Sequence, residues 1–323
     1  MLADCHLHFE GCLPEETVRR LAAAAGHRYE APGVFETERS RIGDRDGFLR
    51  LYAEVCRLFR APEDYFEAGR SVAADLGRDG LAYAEIYVSP EIFRKFDLPA
   101  DECLAAIAAA FEKPEPGRAR CRILLDAVRQ WGPDSAGRVL DLHEDNPLPA
   151  VVGFGLGGDE GALPAEAFAG VYLRARALGL RTSVHAGEWE GPESISQALD
   201  ALRPDRLDHG IAAVRDPKVL SRLAEESTIL CVAPTSNRIT GAAPAGEAHP
   251  LARLLEAGVH VALSADDPLF FRTTTAAEYR IARDELGLDE ERLRRCAENA
   301  WRAAFCSPAE RQAGLDGVAS VRF

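Results

Sequence analysis

Leu2-Ala3-Asp4-Cys5-His6-Leu7-His8 is a short, largely apolar run that ends on two histidines one residue apart. Alternate residues of a strand point the same way, so a strand here turns both imidazoles to one side and Leu7 to the other. Seven similar runs follow, at 81–88, 121–128, 150–156, 180–185, 206–211, 228–232 and 259–264. Between them lie segments of helical periodicity, including 62–78, 99–111, 164–178 and 217–226. Each opens on proline, whose missing N–H costs nothing in a first helical turn. Eight short strands alternating with helices describe repeated βα units. The expected fold is an α/β (β/α)8 TIM-type barrel, in a single domain spanning 1–323, with a doubly wound open sheet as the alternative. Extra helices between strands 1 and 2, over 14–80, would lie at the barrel mouth as a lid or beside it as decoration.

Polar residues fall at the ends of these runs. His6 and His8 end the first, His185 the fifth and His209 the sixth, while Asn237 follows the seventh and Asp266-Asp267 the eighth. In a barrel those positions converge on one face, where catalytic residues gather. The His6-Leu7-His8 pair alone suits either a metal or hydrogen-bonded core histidines. Joined by His185 and Asp266 it becomes three nitrogens and one carboxylate oxygen, a set suited to zinc with a position left for water. Glu188, three residues past His185, is either a proton donor kept neutral by desolvation or an acid favouring a helix N-terminus. Asp266-Asp267-Pro268 reads as a turn, or as two repelling carboxylates that need a cation or donor to compensate. The run Gly153-Phe154-Gly155-Leu156-Gly157-Gly158 lacks the GxGxxG spacing of a dinucleotide site. It is either a close backbone approach to a flat ligand or a plain glycine-rich strand exit. His27, His143, His249 and His260 lie away from these ends and read as structural or solvated.

Composition narrows the partner. The 323 residues carry 38 Lys+Arg against 52 Asp+Glu, a net charge of −14. A net acidic surface repels nucleic-acid phosphates and anionic headgroups, which leaves a small-molecule substrate as the expected partner, with no nucleic acid and no membrane. No apolar run approaches the ~20 residues of a bilayer span, and Met1 to His6 lacks the basic start of a signal peptide, so a cytoplasmic protein is expected. The 8 cysteines include no CxxC pair, and reduced, mostly buried thiols are expected.

Together, Asp4-Cys5-His6-Leu7-His8-Phe9-Glu10-Gly11, His185-Ala186-Gly187-Glu188, Asp208-His209-Gly210, Pro234-Thr235-Ser236-Asn237 and Ser264-Ala265-Asp266-Asp267-Pro268 resemble, in order and spacing, the adenosine deaminase family of the amidohydrolase superfamily. The resemblance implies a barrel holding one zinc ion per chain and hydrolytic replacement of a purine 6-amino group. It implies His6, His8, His185 and Asp266 as zinc ligands, and Glu188 as the acid that protonates purine N1. It further implies His209 as the group that orients and helps deprotonate water, Asp267 as the partner of N7, and Gly158 as the backbone N–H that meets N3. A binuclear amidohydrolase needs a bridging lysine after the fourth strand, whereas the lysines stand at 95, 113 and 218. A nucleoside-binding barrel without turnover is the non-enzyme alternative, and the filled ligand and proton-transfer positions argue against it.

Departures from the family pattern bear on the substrate. Glu10 stands where adenosine-acting members usually place an aspartate against the ribose 5′ hydroxyl, and the glycine-rich fourth strand lacks their aspartate-containing run. Asp208 stands where glycine is usual. The first two features resemble the branches acting on free adenine or on 6-amino-6-deoxyfutalosine. Arg39, Arg41 and Arg45, in the segment over the mouth, read as solvated loop charges or as groups that meet a carboxylate on an extended N9 group. The expectation is therefore an adenosine or aminodeoxyfutalosine deaminase that prefers the N9-extended substrate, with adenine deaminase as the alternative.

Overall fold

The computed structural model describes residues 1–113 and 115–323. Eight strands, β1 (Leu2–His8), β2 (Leu81–Val88), β3 (Arg120–Val128), β4 (Val151–Gly157), β5 (Arg181–Ala186), β6 (Arg206–His209), β7 (Ile229–Val232) and β8 (His260–Leu263), follow one another in sequence order, each parallel to the next. The ring closes where Leu7 bridges Asp266. The His8 N–H donates to the Asp266 carbonyl at 3.1 Å, and the Asp266 N–H donates to the His6 carbonyl at 3.2 Å. An open sheet would leave β1 and β8 as separate edges, so the barrel expectation holds. Two boundaries differ from the sequence reading. The run expected over 206–211 breaks after His209, whose φ of 61° lies outside strand geometry, and a 3-10 turn over Ile211–Arg215 follows. The segment expected as one helix over 164–178 is a 3-10 turn (Ala165–Phe168) leading into a helix (Ala169–Ala177).

Helices wrap the ring because each carries one apolar face. In Pro62–Arg78, Tyr65, Ala68, Gly69, Val72, Ala73 and Leu76 recur every three or four residues and are all buried, several against the helix Ala100–Glu112. The insertion after β1 is helical, as expected. Its segment Arg45–Cys56 starts at Asp44, whose carboxylate accepts the Gly47 N–H at 2.7 Å. Phe48 of this helix packs on Phe270 and Phe271 just beyond β8, with ring centroids 5.6 and 5.0 Å away, which lays the helix across the barrel mouth. At the opposite end, Glu290–Ala303 packs on β1 and β8, and Trp301 Nε1 donates to the Met1 carbonyl at 3.0 Å. Seven of the eight cysteines are buried. Among the described residues no helix is long and apolar enough to cross a membrane.

Candidate active site and metal centre

The strand periodicity of β1 turns His6 and His8 into the barrel, β5 delivers His185, and the residue after the short β8 exit delivers Asp266. His6 Nε2 lies 3.1 Å from His185 Nε2 and 3.3 Å from Asp266 Oδ1, and His8 Nε2 lies 3.3 Å from the same Asp266 oxygen. Donors ~2.0–2.2 Å from one ion stand about 3.3–3.6 Å apart at tetrahedral corners, so this spacing fits a single small cation. The charges fit it as well. Burial opposes a proton on His8, yet Asp267 and Asp266 outweigh it and push that imidazole up to about 10, whereas burial pushes His185 and His209 down, the latter to about 3, so these two stay neutral. The three triads His6–His8–His185, His6–His209–Asp266 and His8–Asp266–Asp267 each gather their donor atoms within 4.8 Å. Asp266 and His209 share a φ of 61°, a left-handed conformation uncommon outside glycine, so both carry backbone strain.

The remaining predicted residues surround it. Glu188 is buried, with Oε2 3.4 Å from His209 Nε2; burial first, then Asp266, Glu160 and Asp267, push its carboxyl well above the usual carboxylate range. Asp267 is likewise pushed up by burial and by Asp266. Gly11 lets the chain pass Asp267, because a Cβ there would stand 2.8 Å from the Asp267 Cα. These groups and Gly158, whose φ is +90°, line a cavity of about 290 Å³, near the low end of small-molecule sites. Phe48, Tyr52 and Cys56 of the overlying helix, with Trp131 and Trp189, form its apolar part. Glu10 is placed differently from expectation. It is buried beside the cavity and accepts a 2.7 Å hydrogen bond from the Tyr52 hydroxyl. Of the three arginines, only Arg45 reaches the mouth, over the Trp189 ring and 3.2 Å from Asp159. Arg39 is buried against Glu15 and the Leu269 carbonyl, and Arg41 pairs with Glu38 on the surface.

Three carboxylates without a role in the sequence reading support this site. Asp208 stands behind two histidines, its oxygens 3.9 Å from His6 Nδ1 and 3.5 Å from His185 Nδ1, while Tyr87 and Ser183 donate to it. A carboxylate behind an imidazole holds the ring with its far nitrogen facing a metal. Glu160 accepts the backbone N–H groups of Gly187, Glu188, Trp189 and Glu190, together with the Ser194 hydroxyl, and so fixes the turn that carries Glu188. Asp126, at the end of β3, takes hydrogen bonds from Ser89 Oγ and the Gly157 N–H and lines the cavity. Asp126 and Asp208 interrupt apolar strand runs near their C-terminal ends, the same signal that singles out His185. Glu160 carries no such signal, because it acts on backbone.

With this geometry in place, similarity to known proteins is informative. The adenosine deaminase family profile matches residues 2–321. A protein named adenine deaminase from Rhizobium meliloti (strain 1021) is 35% identical over 311 residues, covering 96% of this chain and 95% of that protein. One of the same name from Sinorhizobium fredii is 34% identical over 312 residues, with 96% and 95% covered. Among solved structures, the adenine deaminase from Arthrobacter aurescens superposes with a TM-score of 0.92 at 29% identity, covering 98% of both chains. The chain belongs to the adenosine deaminase family and is a hydrolase that removes an amino group from a small molecule.

Proposed function

We propose that the protein hydrolyses free adenine to hypoxanthine and ammonia, using one zinc ion held by His6, His8, His185 and Asp266. When bound, the ion polarises water toward the nucleophilic form at neutral pH. Glu188, kept in its acid form, donates its proton to ring N1 and draws electron density off C6; its carboxylate then takes one proton from the attacking water, and the other water proton leaves on ammonia. Asp267, on the cavity wall beside Asp266, meets N7. His209 orients the attacking water, and the Gly158 N–H meets N3. The relatives named adenine deaminase support the free base over the nucleosides.

Asp126 carries this choice. Adenine has an N–H on its imidazole ring that adenosine and 6-amino-6-deoxyfutalosine replace with a bond to carbon. A buried carboxylate on the cavity wall, next to Gly157 and Gly158, is the acceptor such an N–H requires, and it has no donor to meet on an N9-substituted purine. Glu10, tied to Tyr52, is correspondingly not free to meet a ribose hydroxyl. The test is kcat/KM for adenine, adenosine and 6-amino-6-deoxyfutalosine side by side, in the wild type and in Asp126→Asn. Adenine should lead by about 10²-fold or more, and the substitution should erase most of that lead. Equal or better kcat/KM on either nucleoside would overturn the assignment.

A further inference from the structure

Behind His209, away from the cavity, lies a line of hydrogen bonds with a fixed direction. Asn237 Nδ2 is 3.0 Å from His209 Nδ1, Asn237 Oδ1 is 3.4 Å from His249 Nε2, and His249 Nδ1 is 3.1 Å from the Leu251 backbone nitrogen. All three side chains are buried. A backbone N–H only donates, so His249 Nδ1 must accept and carries no proton. Burial and the nearby Arg238 hold His249 down to about 4, which leaves it neutral, with its one ring proton on Nε2. That N–H donates to the Asn237 oxygen and sets the amide, whose NH2 then points at His209. An NH2 group also only donates, so His209 Nδ1 must accept in its turn.

We propose that Asn237 and His249 are positioning residues that fix His209 as the tautomer with its proton on Nε2, so that His209 meets the reaction as a hydrogen-bond donor rather than as a base. Its Nε2 already holds a proton and faces Glu188 at 3.4 Å and Asp266 at 4.0 Å, while Nδ1 is capped by the amide. This departs from the part in deprotonating water that the family resemblance implies for His209. Asn237 lies in the short helix Pro234–Ile239 that follows β7, and His249 returns from the loop beyond it, so the Leu251 N–H sets the chemistry of a ring on a different strand.

The inference rests on His209 facing the reacting purine, but its test does not depend on which purine that is. Nitrogen NMR of zinc-loaded protein labelled in histidine distinguishes a protonated from an unprotonated ring nitrogen, and the His209 signals are identified by their loss in His209→Gln. The expected spectrum has His209 Nδ1 unprotonated and Nε2 protonated. A proton on Nδ1 would overturn the inference, whatever the substrate panel shows. Asn237→Asp replaces the donor with an acceptor and should move the proton to Nδ1, with kcat lower by about 10²-fold and zinc content and KM little changed. An Nδ1–H form that retains wild-type kcat would equally overturn it. Should that variant fail to fold, the wild-type spectrum decides alone.

Discussion

At the N-terminal end of the barrel, Arg206 is fully buried against Glu85. Its guanidinium also donates to the carbonyls of Cys5 at 2.6 Å and Ala303 at 3.1 Å, and it lies 4.1 Å over the Phe305 ring. Glu85 in turn accepts from the Tyr83 hydroxyl and the Phe305 N–H. At the C-terminal end, among the described residues, Glu188, Asp266 and Asp267 crowd together with no arginine or lysine bonded to any of them, and Asp267 Oδ1 lacks a hydrogen-bond partner. Both ends bury charge. The lower end pairs its opposite charges and leaves Arg206 Nε without a partner, whereas the upper end gathers carboxylates with only histidines among them, and a buried group left unsatisfied costs free energy unless something else meets it. The difference separates what holds the barrel shut from the perturbed acids gathered at the cavity.

The largest effect should come from the paired end. Arg206→Leu leaves Glu85 charged and unpaired, and removing one partner of a buried pair costs about 3–5 kcal/mol. Urea unfolding should register that loss, and Glu85→Leu added to Arg206→Leu should recover most of it because no lone charge remains. A single variant as stable as the wild type would erase the contrast between the two ends.

Glu188→Gln tests the upper end and should show the opposite pattern. It removes an acid that burial and three neighbouring carboxylates disfavour as an anion, so unfolding stability should hold or rise. Turnover should nevertheless fall by at least ~10²-fold, about 2.7 kcal/mol of transition-state stabilisation, with zinc retained. In the metal-free protein the raised native pKa also sets a slope. Between the ordinary carboxylate range and that raised value, the native state keeps a proton that the unfolded chain has released. Stability therefore falls as pH rises through that window, and Glu188→Gln should flatten this part of the curve.

The upper end is more legible in the sequence than the lower. His6, His8, His185 and Asp266 stand out because strand alternation and strand ends assign each side chain a direction from its position alone, and polar residues there break an apolar pattern. Arg206 and Glu85 sit in the same kind of strand, but nothing local tells that two residues 121 positions apart will meet. Glu160 is silent for a different reason, since a carboxylate that caps a distant turn through backbone N–H groups leaves no mark on the residues it holds. His249 reads as structural or solvated in the sequence, and its link to Asn237 depends on the path of a loop. Arg39 and Arg41 read in the sequence as solvated loop charges or as partners of a substrate anion. Instead Glu38, three residues away, claims Arg41, and Glu15, from the preceding helix, claims Arg39.

Glu10 falls between the two patterns and supplies the smallest test. It lies at the mouth, where buried acids go unpaired, yet Tyr52 donates to it as Tyr83 donates to Glu85. Burial pushes the Glu10 carboxyl up while the Tyr52 hydroxyl, at 2.7 Å, partly offsets that rise. Tyr52→Phe keeps the ring against Phe270, 5.4 Å away, and removes only the donor. Stability should drop by about 1 kcal/mol, near the mean for one hydrogen bond, with zinc unchanged and adenine kcat/KM altered less than about tenfold. The ratio of adenosine to adenine turnover should rise, because the released carboxylate can then turn toward a ribose hydroxyl. A loss of adenine turnover as large as that of Glu188→Gln would instead place Tyr52 and Glu10 with the unpaired groups that meet the purine, and the divide between paired and unpaired charge would then run through the mouth itself.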